Sequence, residues 1–266
     1  MIRFPRSVAF RPLVPAVALA GLLVLFAGCA LTVDQERQLG EDFSRQVSQE
    51  MTVMRDPRVV GYVRQMGGRL AGAAGPQPVL LTFNVVADDD LNAFAGPGGY
   101  VYVNTGLIMK VRSSAELAGV MAHEISHVTL RHVSQAVARQ QQASGFGALV
   151  GAVTDSQAAG NIAGTGVGVY NLRYDRHAEA EADREGLLLM YRAGYDPRGM
   201  VNMFQLLQST GGTKGGFLSS HPATAERLQA MQAYIAQLPP RAGLVTDDGR
   251  LQAVQSRIRS LGGGLR

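Results

Sequence analysis

At 266 residues, 46% hydrophobic and 17% charged, the chain can bury a sizeable core, which excludes disorder as its default state. Its formal net charge is +4, but Arg3, Arg6 and Arg11 all fall in the first eleven residues, leaving the remainder close to neutral. Nowhere do basic residues alternate with aromatics, so the composition speaks against a nucleic-acid partner.

The amino terminus accounts for the charge. Three arginines and no acid precede the apolar run LVPAVALAGLLVLFAG, the order of a secretory signal over residues 1–28. The run is short for a membrane span of about 20 residues. Cys29 is the single cysteine, so no internal disulfide can form and the thiol is either chemically used or a small buried group. The preceding FAG resembles the lipobox of bacterial lipoproteins, with Phe26 in the usual Leu position. That resemblance implies cleavage before Cys29 and diacylation of its thiol. Ala30 in place of Asp then implies an outer-membrane tether facing the periplasm. An uncleaved anchor or a plain secretory signal is the alternative.

From Val33 to about Leu70 the apolar spacing predicts two amphipathic helices, with Pro57 in the first turn of the second. After the GPQP break, VLLTFNVVA predicts a buried strand, DDDLNAFAGPGG a loop and YVYVNTGLIM a second strand. The three aspartates at 88–90 lack the spaced oxygen ligands of a calcium loop and are expected in a solvated turn. Ser113 or Ser114 offers a cap to a long helix over 115–142, apolar on one flank. Residues 143–169 are rich in Gly and Ala and nearly uncharged, as in a flap over a cleft, a membrane-touching loop or a tight helix hairpin. Helices are expected over about 174–193, from Pro197, over 221–238 with Pro222 in the opening turn, and over 248–261. The expected organisation is a signal (1–28), a mainly helical α+β domain with a small sheet (29–240) and a helical tail (241–266).

The chemistry concentrates in MAHEISHVTL. His123 and His127, four apart on a helix, differ by about 40° around its axis and can hold one ion together. Glu124 beside them is placed to take a proton from water as that water attacks a peptide carbonyl. A third ligand must come from elsewhere. His132, five past His127, would be turned about 140° away on a continuous helix, and is expected to pack or hydrogen-bond on the far side. In RHAEAEADREG, Glu179 and Asp183 share a helical face, while Glu181 points away from Asp183. Glu179 is then the third ligand and Asp183 the acceptor for the second ring N–H of His123. Read alone, these acids are an ordinary solvated face paired with Arg176 and Arg184.

Together with HEISH they are not ordinary. LNAFAGPGGYVYVNTGLI, ELAGVMAHEISHVTLRH, RHAEAEADREG and SSHPATAERL make the chain from about Asp34 to Leu238 resemble the gluzincin metallopeptidase family of HtpX, the CAAX prenyl protease and BepA. The resemblance implies a zincin-like catalytic domain built on an active-site helix. One Zn2+ per chain is held by His123, His127 and Glu179, with Glu124 as catalytic base. It also implies that His221 approaches the zinc as a switchable fourth ligand and that Arg227 lies near the catalytic centre. The sequence holds no tetratricopeptide repeat, which some members carry. An edge strand at Tyr100, Val101, Tyr102 and Val103 would bind an extended substrate through its main chain, unless that strand is an inner one. Misfolded or unassembled envelope proteins are the implied substrates. The rivals are a lipid-anchored client-binding or assembly factor whose metal site is latent, and a structural envelope protein.

Overall fold

The structure, a computed structural model, describes residues 31–140, 172–210 and 216–262. The expected signal and lipidated Cys29, and the stretch at 143–169, lie outside the described residues.

Two capped helices open the fold. In α1 (Val33–Glu50), Thr32 and Gln35 exchange side-chain to backbone hydrogen bonds across the first turn. In α2 (Pro57–Ala74), Asp56 accepts from the amides of Arg58 and Val59, and Pro57 occupies the first helical position, where a missing N–H costs nothing. Strands β1 (Thr82–Val86), β2 (Ala93–Ala95) and β3 (Tyr100–Asn104) form one sheet in the order β1-β3-β2. β1 runs parallel to β3 with Phe83 opposite Val101, and β2 runs antiparallel to it with Phe94 opposite Tyr102. β3 is therefore the inner strand. Both of its hydrogen-bonding edges are taken, which removes the expected edge-strand role of Tyr100, Val101, Tyr102 and Val103.

The second strand also ends earlier than its pattern predicts, and Thr105–Lys110 is a short helix, α3. The triple-aspartate loop causes this. It folds back so that the Gly106 amide donates to the Asp88 carbonyl at 2.7 Å and the Thr105 hydroxyl donates to the same oxygen at 2.9 Å. A Cβ at Gly106 would stand 2.1 Å from the Asp89 carbonyl oxygen, so only glycine permits the approach. The aspartates themselves form a turn, the Asp88 carboxylate accepting from the Asp90 amide.

At the centre lies α4 (Ser114–Thr129), capped by the Ser113 hydroxyl. Instead of one apolar flank, every residue from Ser114 to Val128 is buried, because α2, the sheet, α5 (Arg176–Arg192) and α6 (Arg198–Ser209) enclose it. Small residues make that enclosure close: a Cβ on Gly119 would lie 2.6 Å from the Met200 Cα, and one on Gly199 would lie 2.4 Å from the Ala115 carbonyl oxygen. The expected unbroken helix to 142 is interrupted. Arg131 takes φ +61°, a left-handed conformation, and a new helical segment runs over 132–140.

After α7 (Phe217–Ser220), α8 (Ala225–Gln237) starts four residues later than expected. Thr224 is its cap and Pro222 precedes it. A residue before proline is driven out of helical geometry, and His221 accordingly has φ −124° and ψ 77°. Finally α9 (Leu251–Gly262) places Leu251, Val254 and Ile258 in the same core as α4, while the Gln255 side-chain amide donates to the carbonyls of Ile108 and Val111. Arg257 pairs with the cap residue Asp56 at 2.8 Å.

Candidate metal centre

α4 presents His123 and His127 one turn apart, with their Nε2 atoms 3.1 Å from each other. α5 crosses it and brings Glu179, whose Oε2 lies 3.5 Å from His123 Nε2 and whose Oε1 lies 3.6 Å from His127 Nε2. From the bend before α8, His221 Nδ1 reaches 2.8 Å from Glu179 Oε1 and 3.2 Å from His123 Nε2. All four side chains are buried, and one donor atom from each falls within 4.8 Å of the rest. Four donors bound tetrahedrally to one zinc at about 2.0–2.1 Å stand about 3.3 Å apart. The separations above, 2.8 to 3.6 Å with the two Glu179 oxygens taken separately, fall on either side of that value. The chemistry of the set agrees, since imidazole and carboxylate are the ligands a borderline cation such as zinc prefers.

Charge points the same way. Glu124, Glu179 and Asp183 are all buried, and among the described residues the one guanidinium paired with them is that of Arg227. Three buried carboxylates against one guanidinium make a site that favours a cation. Burial works to lower the His123 pKa, yet Asp183 and Glu179 together carry it up to about 9. His127, desolvated and next to His123, is held well below its ordinary value. Burial also acts to raise the Glu179 pKa, but hydrogen bonds from His123 and His221 hold it below the usual carboxylate range.

Glu124 sits beside this cluster, not within it. Burial raises its pKa, the amide of Ala95 supports its charged form, and its Oε1 is 3.4 Å from His221 Nε2 without a hydrogen bond. Asp183 Oδ1 lies 3.1 Å from His123 Nδ1, the far nitrogen of that ring. Arg227 grips Asp183 with two bonds of 2.7 Å, reaches Glu179 Oε2 at 2.8 Å and lies over the Phe204 ring. Its contacts are thus with the carboxylates that orient the site. Glu179 and Asp183 take Arg227 as their cation, not Arg176 or Arg184.

Three participants were not identified as such in the sequence. The Tyr174 ring stacks on His127 at 3.8 Å between centroids and on His221 at 5.6 Å, walling one side of the cluster. Its only sequence signal is its place one residue before Asp175, which caps α5 through the Ala178 amide. Ala95 contributes only an amide, which no side-chain pattern reveals. In β2, Asn92 and Gly96 bond toward β3, so the alternate residues Ala93 and Ala95 turn their peptide groups to the other edge, where the Ala95 amide meets Glu124. His132 is the third. The break at Arg131 swings it back toward the cluster, against the expectation that it lies on the far side of the helix, and its Nδ1 is 3.1 Å from His127 Nδ1.

The likeness to known proteins runs through most of the chain. The chain is 32% identical to the beta-barrel assembly-enhancing protease of Yersinia pestis over 250 residues, which cover 89% of this chain and 51% of the relative. It is 28% identical to the metalloprotease LoiP of Escherichia coli, over 77% of this chain and 82% of the relative. The mitochondrial metalloendopeptidase OMA1 of Schizosaccharomyces pombe is 27% identical over 78% of this chain and 63% of its own length. The chain spans about half the length of the beta-barrel assembly-enhancing relatives it matches. The model of peptidase family M48 matches residues 57–235, a stretch containing every donor of the cluster, and the chain belongs to that family.

Proposed function

We propose that this chain is a zinc-dependent endopeptidase, with His123, His127 and Glu179 as metal ligands. The observation that carries the reading is the convergence of three buried donors at near-tetrahedral spacing, with a buried carboxylate, Glu124, directly beside them. Zinc held there supplies Lewis acidity to the scissile carbonyl and to water. Glu124 takes the proton from the attacking water and passes it to the leaving amine. Its raised pKa suits it to both steps, because a base that is too weakly basic cannot accept the first proton. Asp183 Oδ1 stands 3.1 Å from the far nitrogen of the His123 ring, placed to accept its N–H, and Arg227 holds Asp183.

An extended substrate would add to the outer edge of β2, which has no strand partner among the described residues, in place of the inner strand first expected. Main-chain pairing makes few demands on side chains, which suits unfolded polypeptides. The proposed setting is the Gram-negative envelope, with the mature chain diacylated at Cys29, tethered to the outer membrane and facing the periplasm. Misfolded or unassembled envelope proteins are the proposed substrates. The names of the relatives support this, as does the FAGC sequence.

A second reading is favoured by one observation: His221 Nδ1 stands where a fourth ligand would, in the position that water or a carbonyl needs. The chain would then be latent at rest and act as a client-binding or assembly factor until His221 withdraws. Digestion of an unfolded protein such as casein, with chelator and zinc add-back, tests the first reading: wild type should cut and Glu124→Gln should not. Equal cutting by both removes Glu124 as the base. Cutting by His221→Ala alone identifies the latent state.

A further inference from the structure

Each ligating histidine needs its second ring nitrogen oriented, and the two are served differently. His123 Nδ1 faces a carboxylate directly. His127 Nδ1 instead faces the Nδ1 of another imidazole, His132, at 3.1 Å. If His127 binds the metal through Nε2, its Nδ1 carries the proton and must donate it. His132 Nδ1 must then be the bare, accepting nitrogen, which puts the His132 proton on Nε2. That nitrogen lies 3.3 Å from Glu181 Oε2, the acceptor it requires. Glu181 Oε2 is also approached by His177 Nδ1 at 3.1 Å from the outer surface. Every donor in the series thus meets an acceptor, and the carboxylate at its end fixes both tautomers.

From this series we infer that His132 and Glu181 are positioning residues for the metal centre, holding His127 as Asp183 holds His123. The inference rests on His127 being a zinc ligand. Neither residue offers an atom to the donor set: His132 meets His127 on its far nitrogen, and Glu181 reaches the set only through His132. Glu181 can act here because its side chain leaves the face shared by Glu179 and Asp183: being half-exposed on the flank of α5, it meets the segment that follows α4. The geometry depends on the break at Arg131. With φ +61° there, His132 is carried back beside His127, and Arg131 is held by the buried Glu36 at 2.9 Å and by the Leu31 carbonyl at 2.9 Å.

The test measures zinc affinity by chelator competition on folded protein, alongside the visible spectrum of the cobalt-substituted form. His132→Phe keeps a ring but loses the acceptor, and its zinc dissociation constant should rise about 10- to 100-fold, with a shifted cobalt spectrum. His132→Asn places an amide oxygen near the Nδ1 position and should recover most of the affinity. Glu181→Ala, at a half-exposed site that does not threaten folding, should weaken zinc binding severalfold. The inference is overturned if His132→Phe and His132→Asn lose affinity equally, or if Glu181→Ala and a folded His132→Phe bind zinc as wild type does. Absence of zinc binding by the wild type would overturn the proposed function instead.

Discussion

The two sides of the histidine pair are built from different materials. Behind His123 stand Asp183 and then Arg227, a carboxylate and a guanidinium almost entirely removed from water. Behind His127 stand a neutral imidazole and then Glu181, whose side chain is 48% exposed. The first backing is strong only while complete, because a buried charge that loses its partner has no water to turn to. The second ends in solvent, which can replace a missing charge. The same task of orienting a ring is therefore done at high stakes on one side and at low stakes on the other.

That contrast can be broken at several points. The largest effect should come from Glu124→Gln, which leaves both backings intact: hydrolysis of an unfolded protein should fall about 10²- to 10⁴-fold while zinc content stays the same, as read by digestion and metal analysis. Next, Arg227→Met strips the His123 side of its cation. It should cost up to about 3–5 kcal/mol in denaturant titration of the metal-free protein, because Asp183 and Glu179 stay buried with histidines alone as partners. Glu181→Gln, the matching change on the His127 side, should stay within about 0.5 kcal/mol by the same assay, since surface substitutions rarely do more. Equal losses for the two would end the comparison. Smaller than the Arg227 effect is that of Glu36→Ala, which leaves Arg131 without its buried partner. A loss of about 1–3 kcal/mol is expected, along with weaker zinc binding if the Arg131 turn relaxes.

Asp56, whose partners are Arg257 and the first amides of α2 and not the cluster, serves as the control. The Arg257 hydrogen bond, with amides of α2 assisting, holds this carboxyl below its ordinary value of 3.8. A lowered folded-state pKa means that the stabilisation is complete above about pH 3.8 and is lost as the pH falls through the folded value. Asp56→Asn should therefore be less stable than wild type near neutrality by about 1 kcal/mol or less, Asn being itself a good cap. The gap between the two denaturation midpoints should close below pH 3.8, with zinc affinity unchanged throughout.

How much of this was legible before folding differs residue by residue. Glu179 and Asp183 could be paired from helical phase alone, because four residues on one helix bring side chains to one face whatever surrounds them. The same phase argument failed for His132. It assumed a continuous helix, and the left-handed turn at Arg131 is held by Glu36, nearly a hundred positions away. The strand from Tyr100 is legible as a strand, though it stops at Asn104, while the choice between edge and inner strand stays open in the sequence. Its alternation of residues says which faces are covered, whereas neighbours on either edge are a property of the sheet. Pro222 was placed in a helix that begins only after it, because Thr224 offered the better cap.

The sequence by itself determined the two helices that bring His123, His127 and Glu179, the serine cap of the first, and the identity of the groups that would meet a metal, since these follow from residue type and from spacing within one turn. The family resemblance implied the approach of His221, which the structure puts 3.2 Å from His123 Nε2. Only the tertiary structure decided that the Ala95 amide supports Glu124 and that His132 returns to His127. The first joins segments tens of residues apart, and the second, between residues five apart, needs the Arg131 turn that Glu36 holds from nearly a hundred positions away. They exist because α4 is enclosed on every side and leaves its polar atoms no partner except those its neighbours bring.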